Sequence, residues 1–330
     1  MGATSSMPVD LPVLIHGVSL PFWAASYVER RAWDGHITLD EGNGATTASS
    51  FEVRGHFKNK LGLDVDIFYD TLLQKTSCDS VLKINVKDGR CDGDYFINYW
   101  LNGRDRKALI QGQFRLNTNV PSARIRNITV GTSQDAVFET GLGRQLAFNQ
   151  FELFFKMGIS RIGLTAGLKN GVYFWSRMGC LPVDKHELQT VFNQIEQRLE
   201  VISERLSPEH KGKLTRLYAQ LDKSAPDVLW KIADWDISID SLLGEQKESV
   251  IKTFAFVKDV QEALLSGDTV PLGRLLMSEL QGFRAVFDFT NKTQVERAQS
   301  YCKRCFEGTP ASACSITPVV TGPVHCLLSA

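Results

Sequence analysis

The stretch at residues 123–180 most constrains the fold, because it alternates strand-forming and helix-forming segments around paired glycines. Ile125-Arg126-Asn127-Ile128-Thr129-Val130 has the β-branched residues and alternation of a strand. After a polar loop comes Thr140-Gly141-Leu142-Gly143-Arg144-Gln145-Leu146, from which an apolar-periodic pattern predicts a helix over 142–157, closed by Gly158. A second short strand is predicted at 162–166, and a second helix at 171–178, closed by Gly179. A strand–helix–strand crossover of this kind places its two strands parallel and adjacent, with the helix lying on the sheet.

The glycine turn has a chemistry of its own. A helix start leaves its first N–H groups unpaired and carries the positive end of the helix dipole. Gly141 and Gly143 would let an anion approach those groups without a Cβ in the way, and Arg144 adds a fixed positive charge suited to phosphate. The plainer reading is a helix capped by Thr140, with glycines serving only the turn. The dinucleotide fingerprint is excluded, because Leu146 stands where a third Gly or Ala belongs.

The order strand, Gly-Leu-Gly-Arg-x-Leu opening a long helix, Gly-Ile-x-Arg-Ile-x-Leu, then a helix ending in Met-Gly-Cys resembles the GNAT superfamily of acyl-CoA-dependent N-acyltransferases. The resemblance covers about 60 residues. It implies an α+β fold, with a mixed, mainly antiparallel sheet and flanking helices. It implies acetyl-CoA or another acyl-CoA as cofactor, its pyrophosphate on Gly141, Leu142, Gly143 and Arg144, and its extended arm on the strand ending at Val130. Asn170 resembles the Asn that precedes the second helix in many members. In the family, the two parallel strands part at one end and hold the acyl arm. Glu139, Asp135 and Tyr173 are the candidates, by location, for the general base that takes a proton from the incoming ammonium. Two positions depart from the family pattern: Phe138 replaces the usual Gln or Arg, and Trp175 replaces a Tyr that serves as general acid. The implied activity is therefore acyl transfer to an amine of a small molecule or protein. The alternative is an inactive binding or scaffold module of the same fold, including a host-directed effector or phage-type protein.

Upstream, residues 51–116 read as mostly strand-like, with a strand at 81–86 and a hairpin from 95 to 116 turning at Asn102-Gly103. Tyr95, Ile97 and Tyr99 alternate with Phe96, Asn98 and Trp100, so both faces of the sheet are expected to be covered. Downstream, Leu188, Val191, Phe192, Ile195, Leu199 and Ile202 recur at helical spacing, Ser207-Pro208 starts another helix, and a further helix is predicted at 249–265. Residues 283–289 alternate as a strand returning to the sheet, and 290–306 read as a helix. The expected organisation is an arm and linker at 1–50, the GNAT-like core at 51–183, a helical subdomain at 184–270 that offers a protein-partner surface, the returning strand and helix at 271–306, and a mobile tail at 307–330.

Composition narrows the partners. Lys plus Arg and Asp plus Glu number 37 each, so nothing favours nucleic acid or an acidic membrane. The most apolar stretch, 11–25, is broken by Pro12, His16 and Pro21 and lacks the basic start of a signal peptide. Seven scattered cysteines then read as reduced thiols, and a cytoplasmic location is expected. Met1-Gly2-Ala3-Thr4-Ser5-Ser6 fits the myristoylation pattern, which would bring the chain to a membrane only if Gly2 is acylated. Cys302-x-x-Cys305 has no second pair at zinc spacing and the six histidines are dispersed, so no metal is expected.

Overall fold

A computed structural model describes residues 13–15, 18–20, 36–40, 50–74, 81–88, 94–102, 108–117, 122–130, 142–243, 269–303 and 306. The fold is mixed α+β. A short ribbon pairs β1 (Val13–Ile15) with β2 (Val18–Leu20). Among the described residues the main sheet has eight strands: β3 (Ile37–Asp40), β4 (Val81–Asp88), β5 (Asp94–Asn102), β6 (Ala108–Asn117), β7 (Ser122–Val130), β8 (Arg161–Ala166), β9 (Leu181–Pro182) and β10 (Phe283–Asp288). Their spatial order is β3-β4-β5-β6-β7-β8-β10-β9. Only β3–β4 and β7–β8 pair in parallel; the other neighbours are antiparallel.

Helix α1 (Ser50–His56) runs into a π-helical turn, Phe57–Leu61, and α2 (Val65–Leu73) follows. This corrects the strand-like reading of that stretch. Val53, Phe57 and Leu61 recur every four residues along α1 and the π-helical turn and are buried; left-handed Gly62 and extended Asp64 then break the helix before α2, which buries Val65 and Tyr69. The Asp64 carboxylate caps α2 by accepting from the Asp66 N–H.

Helix α3 (Leu142–Lys156) is the centre of the packing: every residue from 146 to 154 is buried. Its phenylalanines meet different neighbours. Phe154 stands edge-on to Phe114 of β6 at 5.0 Å, Phe151 lies 4.6 Å from Phe287 of β10, and Phe148 stacks on Phe306 at 4.6 Å. Towards α2, the Asn149 amide donates to the carbonyls of Leu72 and Gln74, and Lys156 reaches Thr71. Gly158 ends the helix with φ +73°, a left-handed conformation that glycine adopts without strain.

The sheet is covered unevenly. Tyr95, Ile97, Tyr99, Leu82, Ile84, Val86, Phe114 and Leu116 are buried beneath the helices. The opposite face carries exposed Lys83 and Lys87 and half-buried Phe96, Asn98, Trp100 and Gln113, so the expectation of two covered faces is corrected. Side-chain hydrogen bonds cross this face, from the Asn85 amide to the Thr38 hydroxyl and from the Gln113 amide to the Asn98 side-chain oxygen.

After α4 (Leu168–Arg177) and β9 come α5 (Lys185–Ser203), α6 (Pro208–Ala219), α7 (Val228–Ala233), α8 (Ile239–Leu243) and α9 (Leu272–Met277). Asp184 and Ser207 cap α5 and α6 as their positions suggest. Leu188, Phe192, Leu229, Leu272 and Leu276 belong to the same hydrophobic core as the sheet. Buried Arg198 of α5 donates to the carbonyls of Leu275, Leu276 and Ser278, closing the end of α9. β10 then enters the sheet between β8 and β9, and α10 (Lys292–Cys302) runs back along α3 and α4. The predicted helix at 249–265, the arm at 21–35 and the tail at 307–330 lie outside the described residues.

Candidate functional site

The site begins where β7 and β8 separate. They pair from Ser122↔Arg161 to Ile125↔Leu164, and no further. On its other side β7 stays paired with β6 as far as Ile110↔Val130, but the register slips: Phe114 faces Ile125 and Gln113 faces Asn127. Arg126 is thus the extra residue of a bulge, immediately after the last partner in β8. A bulge bends its strand and increases its twist, which accounts for the departure of residues 126–130 from β8. Among the described residues, this leaves five residues of β7 edge, about 16 Å at 3.3 Å each, without a strand partner on that side. β8 ends at Ala166, where Gly282 crosses so closely that a Cβ there would lie 2.5 Å from the Ala166 oxygen.

Helix α3 follows β7 in the chain. Gly143 and Arg144 lie on its first turn, and Arg144 is exposed. Arg144 makes no ion pair among the described residues; its guanidinium lies over the Tyr301 ring at 5.5 Å. Arg177 covers the same ring at 5.2 Å and is paired with Asp234 and Asp236 at 3.1 and 3.2 Å. Burial pushes the Tyr301 phenol up to about 12, with Tyr173 adding to the rise and Arg144 and Arg177 opposing it. Tyr173 is half-buried and 6.0 Å from Arg177, and burial raises its phenol as well. Tyr173 therefore keeps its proton at neutral pH.

The remaining expected residues divide by position. Val130 is the last residue of β7 and registers with Ile110 of β6. Leu142 begins α3. Asn170 is engaged elsewhere, its side-chain oxygen accepting from Ser278 Oγ at 2.7 Å beyond the end of α9. Trp175 is buried, stacked on Phe151 at 5.9 Å and edge-on to Phe174 at 4.8 Å, so it serves the core. Gly141, Glu139, Asp135 and Phe138 lie outside the described residues.

One pair went unread in the sequence. Tyr99 of β5 leans across β6 at Gly112, where an added Cβ would fall 2.0 Å from its Cζ. Its hydroxyl accepts from Gln150 Nε2 of α3. Both residues are fully buried, and Gln150 Oε1 has no hydrogen-bond partner among the described residues. A buried polar group left unmet costs about 1–3 kcal/mol. Burial pushes the Tyr99 phenol far above the ordinary tyrosine range, so the pair is neutral. The one cue in the sequence is a glycine in the middle of a strand, which marks a close approach.

Among the described residues, no group of three or more His, Cys, Asp and Glu could hold a metal, and Cys302 Sγ lies against Met178 Sδ at 3.4 Å. Among those residues, too, no helix is long and apolar enough to cross a membrane. No family model matches the chain, and no curated protein or solved structure does.

Proposed function

We propose that the chain is an acyl-CoA-dependent N-acyltransferase with a GNAT-like core, transferring an acyl group directly to an amine of a small molecule or protein in the cytoplasm. The observation that carries this reading is the parting of β7 from β8 at Arg126, at the strand that precedes α3. The spatial order β7-β8-β10-β9 supports it, because the crossover strands sit side by side, as the resemblance in 123–180 requires.

An acyl-CoA would supply an activated thioester carbonyl. The open edge of β7 from 126 to 130 offers backbone donors and acceptors to its extended arm. The start of α3, with Gly143 and Arg144, which has no ion pair among the described residues, suits its phosphates. Holding both reactants at one site contributes through proximity. Tyr173, which keeps its proton at neutral pH, is the candidate to give one to a leaving thiolate, and Glu139 is the candidate to take one from the incoming ammonium.

Burial of Trp175 at the family's general-acid position, and the engagement of Asn170 with Ser278, favour a second reading: a binding module that retains the fold without the reaction. Thermal melts separate the two. Acetyl-CoA at 100 times its dissociation constant would stabilise the native chain by about 2.7 kcal/mol. The shift should vanish when Gly141 and Gly143 are both replaced by Val. No shift at millimolar acetyl-CoA or CoA would remove the acyltransferase reading. If Gly2 is acylated, mass spectrometry of the amino terminus will show the added myristoyl mass.

A further inference from the structure

The face of the sheet turned away from the helices carries polar and aromatic side chains in an ordered pattern. Antiparallel register sets them in rows across β4, β5 and β6: Lys83–Trp100–Gln111, Asn85–Asn98–Gln113 and Lys87–Phe96–Arg115. Two of the rows are engaged within the protein. Asn85 donates to Thr38 and Gln113 to Asn98, while Lys87 pairs with Asp40 at 3.4 Å and Arg115 with Asp94. The first row differs. Lys83 and Gln111 are exposed and Trp100 is half-buried, and none of the three makes a side-chain hydrogen bond, ion pair or ring contact among the described residues.

Trp100 and Phe96 stand four residues apart on β5, about 13 Å at 3.3 Å each. Each has a cation beside it in register. Lys83 neighbours Trp100, and Lys87 and Arg115 flank Phe96, with the Arg115 guanidinium 5.8 Å from the ring centroid. Between the two rings the amide row offers donors and acceptors. A single-stranded nucleic acid presents the complementary groups in the same alternation: flat bases with polar edges, joined by phosphates. A neutral glycan would meet the rings and amides but leave the cations unused, and an acidic peptide would use the cations but not the rings. The nearby carboxylates are already held. Asp94 is buried and accepts from Arg115 and Asn117, and Lys87 is exposed, so its pair with Asp40 opens at little cost. Three cations against these two carboxylates leave the face positive, which the charge balance of the whole chain conceals.

We propose that this face binds single-stranded RNA or DNA, with one base stacked on Trp100, its edge against Gln111 and a flanking phosphate on Lys83, and a second base on Phe96 and Arg115. The proposal stands apart from the acyl-CoA reading, which uses the edge of β7 and the start of α3.

Fluorescence anisotropy of the full chain tests it, with labelled oligo(U) and oligo(dT) of about 12 nucleotides, titrated between about 50 and 200 mM salt. Both are expected to bind; tighter binding of oligo(U) identifies RNA through its 2′-hydroxyl, and equal binding identifies a strand of either sugar. A duplex of the same length should bind at least about tenfold more weakly, because its bases are not free to stack on a side chain. Trp100→Ala should weaken the single strand about tenfold, and Trp100→Phe should restore most of the loss. Lys83→Gln should flatten the slope of log affinity against log salt by about 0.7. No binding at the lower salt, or binding that Trp100→Ala leaves unchanged, would overturn the proposal. Equal binding of polyglutamate would overturn it as a general cation patch, and retention on a neutral polysaccharide without oligonucleotide binding would overturn it as a glycan surface. If Trp100→Ala does not fold, Lys83→Glu at its exposed position carries the comparison: affinity should fall about tenfold with the melt unchanged, and unaltered affinity would overturn the proposal equally.

Discussion

Replacing Arg198 with Met should destabilise the fold by about 2–4 kcal/mol. The guanidinium is buried, and it donates to the carbonyls of Leu275 at 3.0 Å, Leu276 at 3.3 Å and Ser278. A hydrogen bond to a charged group contributes about 1.5–3 kcal/mol, and three to one guanidinium fall short of their sum. Against them stands desolvation. Burial draws the Arg198 pKa from 12.5 down to about 10, with Glu279 opposing. At about 1.36 kcal/mol per unit, that is a cost on the order of 3 kcal/mol. The sign follows from linkage: the folded value is depressed, so the charge costs stability at every pH below about 10, and the cost is relieved only as pH rises from there toward 12.5. Methionine removes this cost, keeps most of the stem's packing, and strands the carbonyls at the end of α9. Urea titration followed by far-ultraviolet circular dichroism measures the difference, with a lower midpoint and an unchanged slope. Arg198→Lys should recover about half, since an ammonium is a point donor without the planar fork. A loss below about 0.5 kcal/mol for Arg198→Met would mean that water already reaches those carbonyls, and would refute the argument.

Three further perturbations have clear signs. Arg297 holds Asp234 with two bonds of 2.7 and 2.8 Å and also donates to the carbonyls of Ser176 and Trp230, so Arg297→Lys should cost about 1–3 kcal/mol in the same titration. Its coupling to Asp234 should appear in a double-mutant cycle with Asp234→Asn. Gly282→Ala would drive a Cβ to 2.5 Å from the Ala166 oxygen and 2.7 Å from the Gly167 Cα, and should lower stability by about 1–3 kcal/mol through strain at the end of β8. The hydrogen bond from Arg284 holds the Glu187 carboxyl below its ordinary 4.5. Its stabilising effect is therefore present above 4.5 and lost as pH falls through the depressed value, so wild type and Glu187→Gln should differ at neutral pH and converge in acid.

The segments legible in the sequence are those where periodicity and punctuation agree. β7, α3, β8, α4 and β10 all carry a clear period, and Gly158 and Gly179 stop their helices with φ +73° and +89°. Residues 50–73 misled because their types contradict their spacing: Val53, Phe57, Phe68 and Tyr69 favour strands by kind but sit at helical intervals. The cover of the sheet was hidden too, since Phe96 and Trp100 are apolar by type but share their face with Lys83, Asn85 and Gln113 of neighbouring strands. At the site, Arg144 and Tyr173 could be found by local order. The partners that define their surroundings, Arg177, Asp234 and Tyr301, come together only through α7 and α10. The Tyr99–Gln150 contact joins residues 51 apart, and no local pattern encodes it.

The sheet order also bears on how the chain is made. β8 waits for β10 while the whole run of helices from α5 to α9 is synthesised. At about 5–20 residues per second, translation of the roughly 120 intervening residues leaves that edge open for roughly 6–24 s. An unpaired apolar edge invites pairing with another nascent chain. Ribosomes slowed within this stretch should therefore raise the aggregated fraction well before any loss of equilibrium stability is measurable.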